Sequence, residues 1–410
     1  MPDPGTQFDE VSFRQIRERG LSFVDKSGFI EELLSGPPDK AIHIMRPSGF
    51  GRTVNLTMLR DFLDIRQDSG RLFEGLAVSR NAALCAAWMN RFPVLWLPLK
   101  GVAGSTFEEA HAAYGRLIAA LVAEHAYLTE SPGVDASDRA VLLALRRSRA
   151  GEAQLAWSLK TLVRALHAHW GRPAVVLADD LDAPLARAQT EGCGGEMSDF
   201  LCGLFAAALK GNDSAAFGLI GGCLDIAGSS LVGGFSNLSR YGIADAWLED
   251  SFGFTGEEVA ALLARSGLAG REEDMSEWYG GYRFGRAKNL HCPRDIVAQI
   301  RELQANPDAP PQDWRGQAPR NALAMAIEQD SRTARSDLRC LLAGESLLFR
   351  PDELLTQMRP FDPFGGTAGL LARTGWITPI EEGGEDDCLE CAIPNTVTAE
   401  TIAAAARARD

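Results

Sequence analysis

Eight consecutive residues, Arg46-Pro47-Ser48-Gly49-Phe50-Gly51-Arg52-Thr53, have types and spacing that suit a turn built around an anion. A short apolar, β-compatible run from Ala41 to Met45 precedes them, and Val54 to Leu63 follows with apolar residues at helical spacing. A strand that hands over to a helix through a glycine-bearing loop aims successive backbone N–H groups and the positive end of the helix dipole at one point. A phosphate can sit there without a side-chain cage. The usual pattern is G-x-x-x-x-G-K-[ST], in which the lysine reaches the β- and γ-phosphates and the hydroxyl ligates Mg²⁺. Here Arg46 stands at the first glycine and Arg52 at the lysine, so the pattern alone leaves an ordinary strand-to-helix turn open as an equal reading.

A second stretch, Pro173 to Asp182, is an apolar strand pattern ending in Asp179-Asp180-Leu181-Asp182. In a nucleotide-hydrolysing fold such a strand lies next to the loop, its first acid serving the Mg²⁺ shell and the next orienting the attacking water. Thr53 and Asp179 are therefore the expected metal ligands. Arg52 and Asp180 are the expected catalytic groups, with Arg46 through Thr53 as the nucleotide-binding loop. Acids at a strand end also serve as plain turn residues. The two stretches in this order, about half a domain apart, support the paired reading more than either alone.

The elements that must position these groups alternate along the chain. Residues 8–35 read as a short helix, a turn at Gly20 and a second helix through Leu34, with Lys26 open to two readings, near a nucleotide base or on a solvated surface. Phe92 to Leu99 is a near-continuous apolar run, suited to a strand buried on both faces of a parallel sheet. A helix from Thr106 to about Tyr127 opens on a Ser105-Thr106/Glu108-Glu109 capping arrangement, and two more helical patterns fill 137–169. Ala183 to Glu196 reads as a loop with Gly194-Gly195 able to move, then come a helix from Ser198 to Leu209 and a small-residue strand from Ala215 to Gly222. Thr255-Gly256-Glu257-Glu258 looks like an N-cap followed by an acidic first turn. Gln304 to Gln312 is Pro-rich and without periodicity, a linker pattern. Helices at 319–328, 334–343 and 366–373 follow, then a strand at 375–378 with Cys388 to Ile393 as its hairpin partner.

With these residues in view, the sequence resembles the AAA-ATPase-like family, bacterial and fungal proteins predicted to be P-loop ATPases and often joined to a restriction-endonuclease-like domain. The family's loop reads R-P-R-R-F-G-K-T, which Arg46, Pro47, Phe50, Gly51 and Thr53 match. Further matches are Phe23-Val24-Asp25-Lys26, the block from Trp88 to Val94, Gly253-Phe254-Thr255 and the block from Trp278 to Gly285, so the likeness covers almost the whole chain. It implies an α/β fold: a P-loop NTPase-like parallel sheet flanked by helices over 8–250, a helical lid over 251–303, and a small winged-helix-like module over 313–410. ATP and Mg²⁺ are the implied cofactors.

Three departures fall where catalysis is expected: Arg52 for the loop lysine, Asp180 for the glutamate of D-E-Y-D, and Asp225 for the arginine of T-G-V-L-R-I. Gly221 also stands where the family has a threonine sensing the γ-phosphate. Arginine keeps the charge, but its planar fork is wider than an ammonium. Asp180 is one methylene short, which displaces its carboxylate by about 1.5 Å and costs roughly a hundredfold in rate. Asp225 puts a negative charge where a positive one would stabilise transferring phosphoryl oxygens. The expected function is an ATP-binding AAA-ATPase-like protein with degenerate motifs and slow or no hydrolysis. The alternative is a non-catalytic pseudo-ATPase scaffold acting through protein partners.

Charge narrows the partners. A formal charge of −14 is unlike a protein that grips nucleic acid over a broad surface. From Pro351 to Asp410 there are four arginines, no lysine and eleven acids, and the turn at 381–387 is acidic, so a wing there repels phosphates and a protein partner is expected instead. No run approaches bilayer-spanning length and the N-terminus has no signal pattern, which gives a cytoplasmic expectation without membrane contact. The eight scattered cysteines suit reduced thiols, and Cys388-x-x-Cys391 lacks the two further ligands that zinc needs. No Asp…Glu-x-Lys constellation follows Asn395, and no nuclease domain is expected there.

Overall fold

The computed structural model describes residues 11–36, 39–224, 235–328, 332–349, 366–381 and 388–407. It divides into two compact units that do not follow chain order, one made of 34–44 and 56–240, the other of 1–33, 45–55 and 241–410.

The first unit carries a sheet of five strands: β1 (Ala41–Met45), β2 (Val94–Pro98), β3 (Ala174–Asp179), β4 (Ala215–Gly222) and β5 (Leu238–Tyr241), with β1 and β5 each ending on a residue of the second unit. Their order is β2-β3-β4-β1-β5, and β3 runs parallel to both β2 and β4. Every residue of β1 and β3 is buried, which is why both read as largely apolar runs, interrupted in β1 by His43 and ended in β3 by Asp179. The helices Ser158–Trp170 and Gly194–Leu209 pack on β3 and β4. Gly218 in β4 admits this packing, since a Cβ there would lie 2.4 Å from a Leu209 methyl carbon. The helix Phe107–Glu124 is capped as its sequence suggests: Thr106 Oγ1 accepts from the Glu109 N–H at 3.3 Å, and Glu109 accepts from the Ser105 N–H at 2.8 Å. His167 and His169, in the last turn of Ser158–Trp170, bond the Ser214 and Ser131 hydroxyls at 3.2 and 2.9 Å and are structural.

Three expectations change here. The acidic strand β3 is not the neighbour of β1, because β4 lies between them. All three strands are apolar, and nothing in their composition encodes which pairs with which. The stretch 183–196 is not a loop but contains the helix Asp182–Thr190 and the start of the next at Gly194. Pro184 sits in the first turn, where its missing N–H costs nothing, and Gly192 at φ +81° makes the break between the helices. Gly194 opens the next helix close to Gln189: a Cβ would lie 2.2 Å from Gln189 Oε1 and 3.2 Å from its Cα. Finally, the two patterns at 137–169 are three helices, Ala136–Arg146, Glu152–Ala156 and Ser158–Trp170.

The second unit opens with the helix Phe13–Arg19, closed by Gly20 at φ +61°, and the helix Gly28–Ser35. Lys26 ion-pairs with Glu258 at 2.8 Å and donates to the Asp250 carbonyl at 2.7 Å, so its ammonium ties two segments of this unit together. Thr255 caps the helix Gly256–Arg265 in a full capping box with Glu258, as expected. The helices Gly256–Arg265, Glu272–Tyr279 and Pro293–Ala305 share a core of Val259, Leu262, Leu263, Met275, Ile296 and Ile300. Between them lies a two-stranded antiparallel ribbon, β6 (Tyr282–Phe284) and β7 (Ala287–Leu290). The linker-like 304–312 is held down within the unit: Tyr279 Oη donates to the Gln312 carbonyl at 3.0 Å and Gln299 Nε2 to the Pro310 carbonyl at 3.2 Å.

Farther along, the expected hairpin is a three-stranded antiparallel sheet, β8 (Leu347–Phe349), β10 (Leu389–Ala392) and β9 (Thr378–Pro379), with β10 central. The helices Gln317–Glu328, Arg332–Leu342, Gly366–Thr374 and Thr396–Arg407 accompany it. Asp225 and residues 382–387 of the acidic turn lie outside the described residues. No helix among the described residues is long and apolar enough to cross a membrane.

A polar cluster is buried in this unit. Arg315 Nη2 donates to Tyr282 Oη at 2.9 Å and to Thr398 Oγ1 at 2.5 Å, Nη1 to Asp313 at 3.1 Å, and its guanidinium lies 4.3 Å from the Trp376 ring centroid. Burial pushes Asp295 up to about 6, against the pull of Arg315 and Arg294. A carboxyl whose folded pKa exceeds its unfolded value of 3.8 adds stability below about pH 4, and that contribution is lost as pH rises to about 6. Asp295→Asn is accordingly expected to flatten the fall in stability between about pH 4 and 6, read as urea midpoints of variant and wild type across that range. Parallel pH profiles for the two proteins are the contrary result.

Candidate functional site

The loop at 46–53 is shaped by two glycines and held by its second-unit neighbours. Gly49 and Gly51 have φ of +93° and +86°, a region in which L side chains are strained, and the helix Arg52–Leu63 starts directly after them. Gly49 is doubly required, because a Cβ there would stand 2.9 Å from Cys292 Sγ. Phe50 is buried edge-to-face against Tyr282 and Phe284, with centroids 4.8 and 5.0 Å away, and its carbonyl accepts from the Gly253 N–H at 3.2 Å. Gly375 at φ +82° makes room for Pro47, whose Cβ would be 3.0 Å from a Cβ at 375. Among the described residues, no protein acceptor meets the backbone N–H groups of Ser48, Gly49 or Gly51. Donors left in this way at the head of a helix can accept an anion.

The side chains of the loop divide sharply. Arg46 is wholly buried; its guanidinium donates to the carbonyls of Met45 at 3.1 Å, Tyr241 at 3.3 Å and Trp247 at 3.4 Å, and also to that of Gly242. The rings of Phe252 and Phe284 lie 5.5 and 5.2 Å from it. Burial pushes Arg46 down to about 10, with Asp245 and Glu249 opposing, and it stays charged at neutral pH. Arg52 is buried as well, Nη1 donating to the Arg46 carbonyl at 3.1 Å. Thr53 stands in the first turn of its helix. A cation that the sequence does not mark also reaches the loop: Arg294 Nη2 donates to Ser48 Oγ at 3.0 Å and its backbone N–H to the Gly49 carbonyl at 3.3 Å. Pro293 at the first helical position marks a helix start in the sequence, but its meeting with a loop more than two hundred residues earlier has no local signal.

In the first unit, the acidic end of β3 is ordered by its own backbone. Asp179 is buried and one carboxylate oxygen accepts from the Asp180 N–H at 2.8 Å. Asp180 lies at φ +57°, a left-handed conformation that Asp tolerates better than most residues. Asp182 accepts from the Cys223 N–H just beyond β4, which ties the acidic turn to that strand end. Gly222 is a required close approach, since a Cβ would lie 2.6 Å from Asp182 Oδ1 and 3.3 Å from His43 Nε2.

A family model described as Predicted AAA-ATPase matches residues 10–232, more than half of the chain. The chain belongs to that family. The match takes in both the 46–53 loop and the acidic strand end, so the two candidate clusters of this AAA-ATPase-like chain fall inside one family region. An uncharacterized protein in the vnfD 5′ region of Azotobacter chroococcum mcd 1 is 26% identical over 301 residues, covering 72% of this chain and 52% of that relative. The chain thus spans about half the length of that relative.

Proposed function

We propose that the loop from Arg46 to Thr53 binds ATP by its phosphates and that hydrolysis is slow or absent. The observation that carries this reading is the pair of positive-φ glycines, Gly49 and Gly51, which turn backbone N–H groups that meet no acceptor among the described residues into the head of the helix Arg52–Leu63. Thr53 and Asp179 are the proposed Mg²⁺ ligands, on the strength of their oxygen chemistry and their places at a helix start and a strand end. Arg52 and Arg294 supply positive charge, and Asp180 is the proposed water-orienting acid. Family membership supports nucleotide use.

Titration calorimetry with ATP, with and without Mg²⁺, tests the reading. Mg²⁺-dependent binding is expected, and Arg294→Ala is expected to weaken it about tenfold, the loss of one charge-assisted contact worth ~1.4 kcal/mol. Equal affinity in the variant removes Arg294 from the site. The scaffold reading is favoured by the Arg52 guanidinium folding back on the Arg46 carbonyl, which closes the loop on itself. Absence of any nucleotide binding by the wild-type chain decides for the scaffold.

A further inference from the structure

Arg46 occupies the first glycine position of the phosphate-loop pattern, yet the carbonyls that its guanidinium meets belong to Met45, Tyr241, Gly242 and Trp247, and none to the Ser48–Gly51 turn. The geometry points to Arg46 as the positioning residue of the proposed phosphate loop, one that makes the loop's shape conditional on the segment from Tyr241 to Phe252. This rests on the nucleotide-loop reading above.

Four carbonyl oxygens converge on one guanidinium nitrogen or its twin: those of Met45, at the end of the strand entering the loop, and of Tyr241, Gly242 and Trp247. Carbonyls carry no net charge, so this arrangement holds a buried cation by dipoles, with Asp245 and Glu249 adding attraction from farther off. The aromatic faces of Phe252 and Phe284 complete the enclosure. Only a planar fork with several donors can satisfy carbonyls in different directions from one buried position; an ammonium is a compact point charge.

The consequences reach the loop through its backbone. The Arg46 carbonyl is itself the acceptor for Arg52, and Phe284, which flanks Arg46, also packs on Phe50 at 5.0 Å. Fixing Arg46 therefore fixes both ends of the turn whose N–H groups are the proposed phosphate donors. The segment that holds Arg46 has its own support, since Asp245 Oδ2 accepts from the Gly242 N–H at 2.6 Å and Glu32 accepts from the Leu248 N–H at 3.0 Å. A loop with glycine at its first position has no such tether and takes its shape locally.

The test compares wild type with Arg46→Lys and with Asp245→Ala, which leaves the loop sequence intact and loosens Gly242. Amide hydrogen exchange is followed across Ser48 to Gly51 without nucleotide, and ATP affinity is measured in Mg²⁺. Both variants are expected to speed exchange in the loop tenfold or more, while protection in β3 stays as in wild type. Affinity is expected to fall at least tenfold in Arg46→Lys and severalfold in Asp245→Ala. Should Arg46→Lys fail to fold, Asp245→Ala alone decides. Loop exchange unchanged from wild type in the folded variants overturns the proposal. Faster exchange in a chain whose wild type binds no nucleotide upholds the tether and overturns the nucleotide reading instead.

Discussion

Arg52→Lys together with Asp180→Glu is expected to raise ATP turnover roughly a hundredfold over the wild-type chain. The two changes act on different demands. Binding draws on backbone N–H groups, the helix dipole and Mg²⁺, whereas hydrolysis needs groups that interact more strongly with the transition state than with bound ATP. Arg52 has a donor committed to the Arg46 carbonyl and a fork too broad for a point-charge nest, while lysine brings three rotatable donors on a thin stem. Arg52→Lys alone is expected to tighten binding, seen as a larger rise in melting temperature at saturating nucleotide. Asp180→Glu restores the missing methylene, but at φ +57° glutamate is less at ease than aspartate, so stability should drop by about 1 kcal/mol. Phosphate release under saturating ATP is the measurement. A wild-type rate already of order one per second, abolished by Asp179→Ala, means that Arg52 is an adapted ligand and the motif is not degenerate.

Arg315→Met carries the largest expected effect on stability, a loss of about 3–5 kcal/mol in urea unfolding. The substitution keeps most of the volume against Trp376 but takes the guanidinium donor from Tyr282 and Thr398, leaves Asp313 with only the residue-315 N–H and the Arg320 ion pair, and leaves Asp295 without its strongest nearby cation. Uncompensated buried acid, rather than the lost bonds as such, dominates that figure. Adding Asp295→Asn to Arg315→Met is therefore expected to recover part of the loss, a coupling that a double-mutant cycle reads directly. Additive effects of the two changes place the cost in packing against Trp376.

Much of the local structure was written in local signals. Alternating apolar runs and helical patterns gave the α/β class, and all-buried β1 and β3 are the strands their compositions suggest. Thr106, Thr255, Gly20 and the Gly49/Gly51 pair act within a few residues of themselves, through caps and positive φ. The stretch 183–196 misled because Gly and Pro are read as breakers, whereas Pro184 fell in the tolerated first turn of one helix and Gly194 at the first position of the next. Burial on both faces erases any mark of strand order, so only the folded sheet could put β4 between β3 and β1.

The sequence by itself determined that a glycine-bearing turn would enter a helix at Arg52 and that an apolar strand would end in acids at Asp179, because both depend on residues adjacent in the chain. Tertiary structure alone decided what the arginines do. Arg46, read as part of a binding loop, is enclosed by carbonyls of 241–247 and two aromatic rings, and Arg294, unread, bonds the loop at Ser48. A guanidinium has the same sequence signature whether it meets a phosphate or a carbonyl. Its role is set by which acceptors the fold brings within hydrogen-bond reach, and those lie about two hundred residues away along the chain.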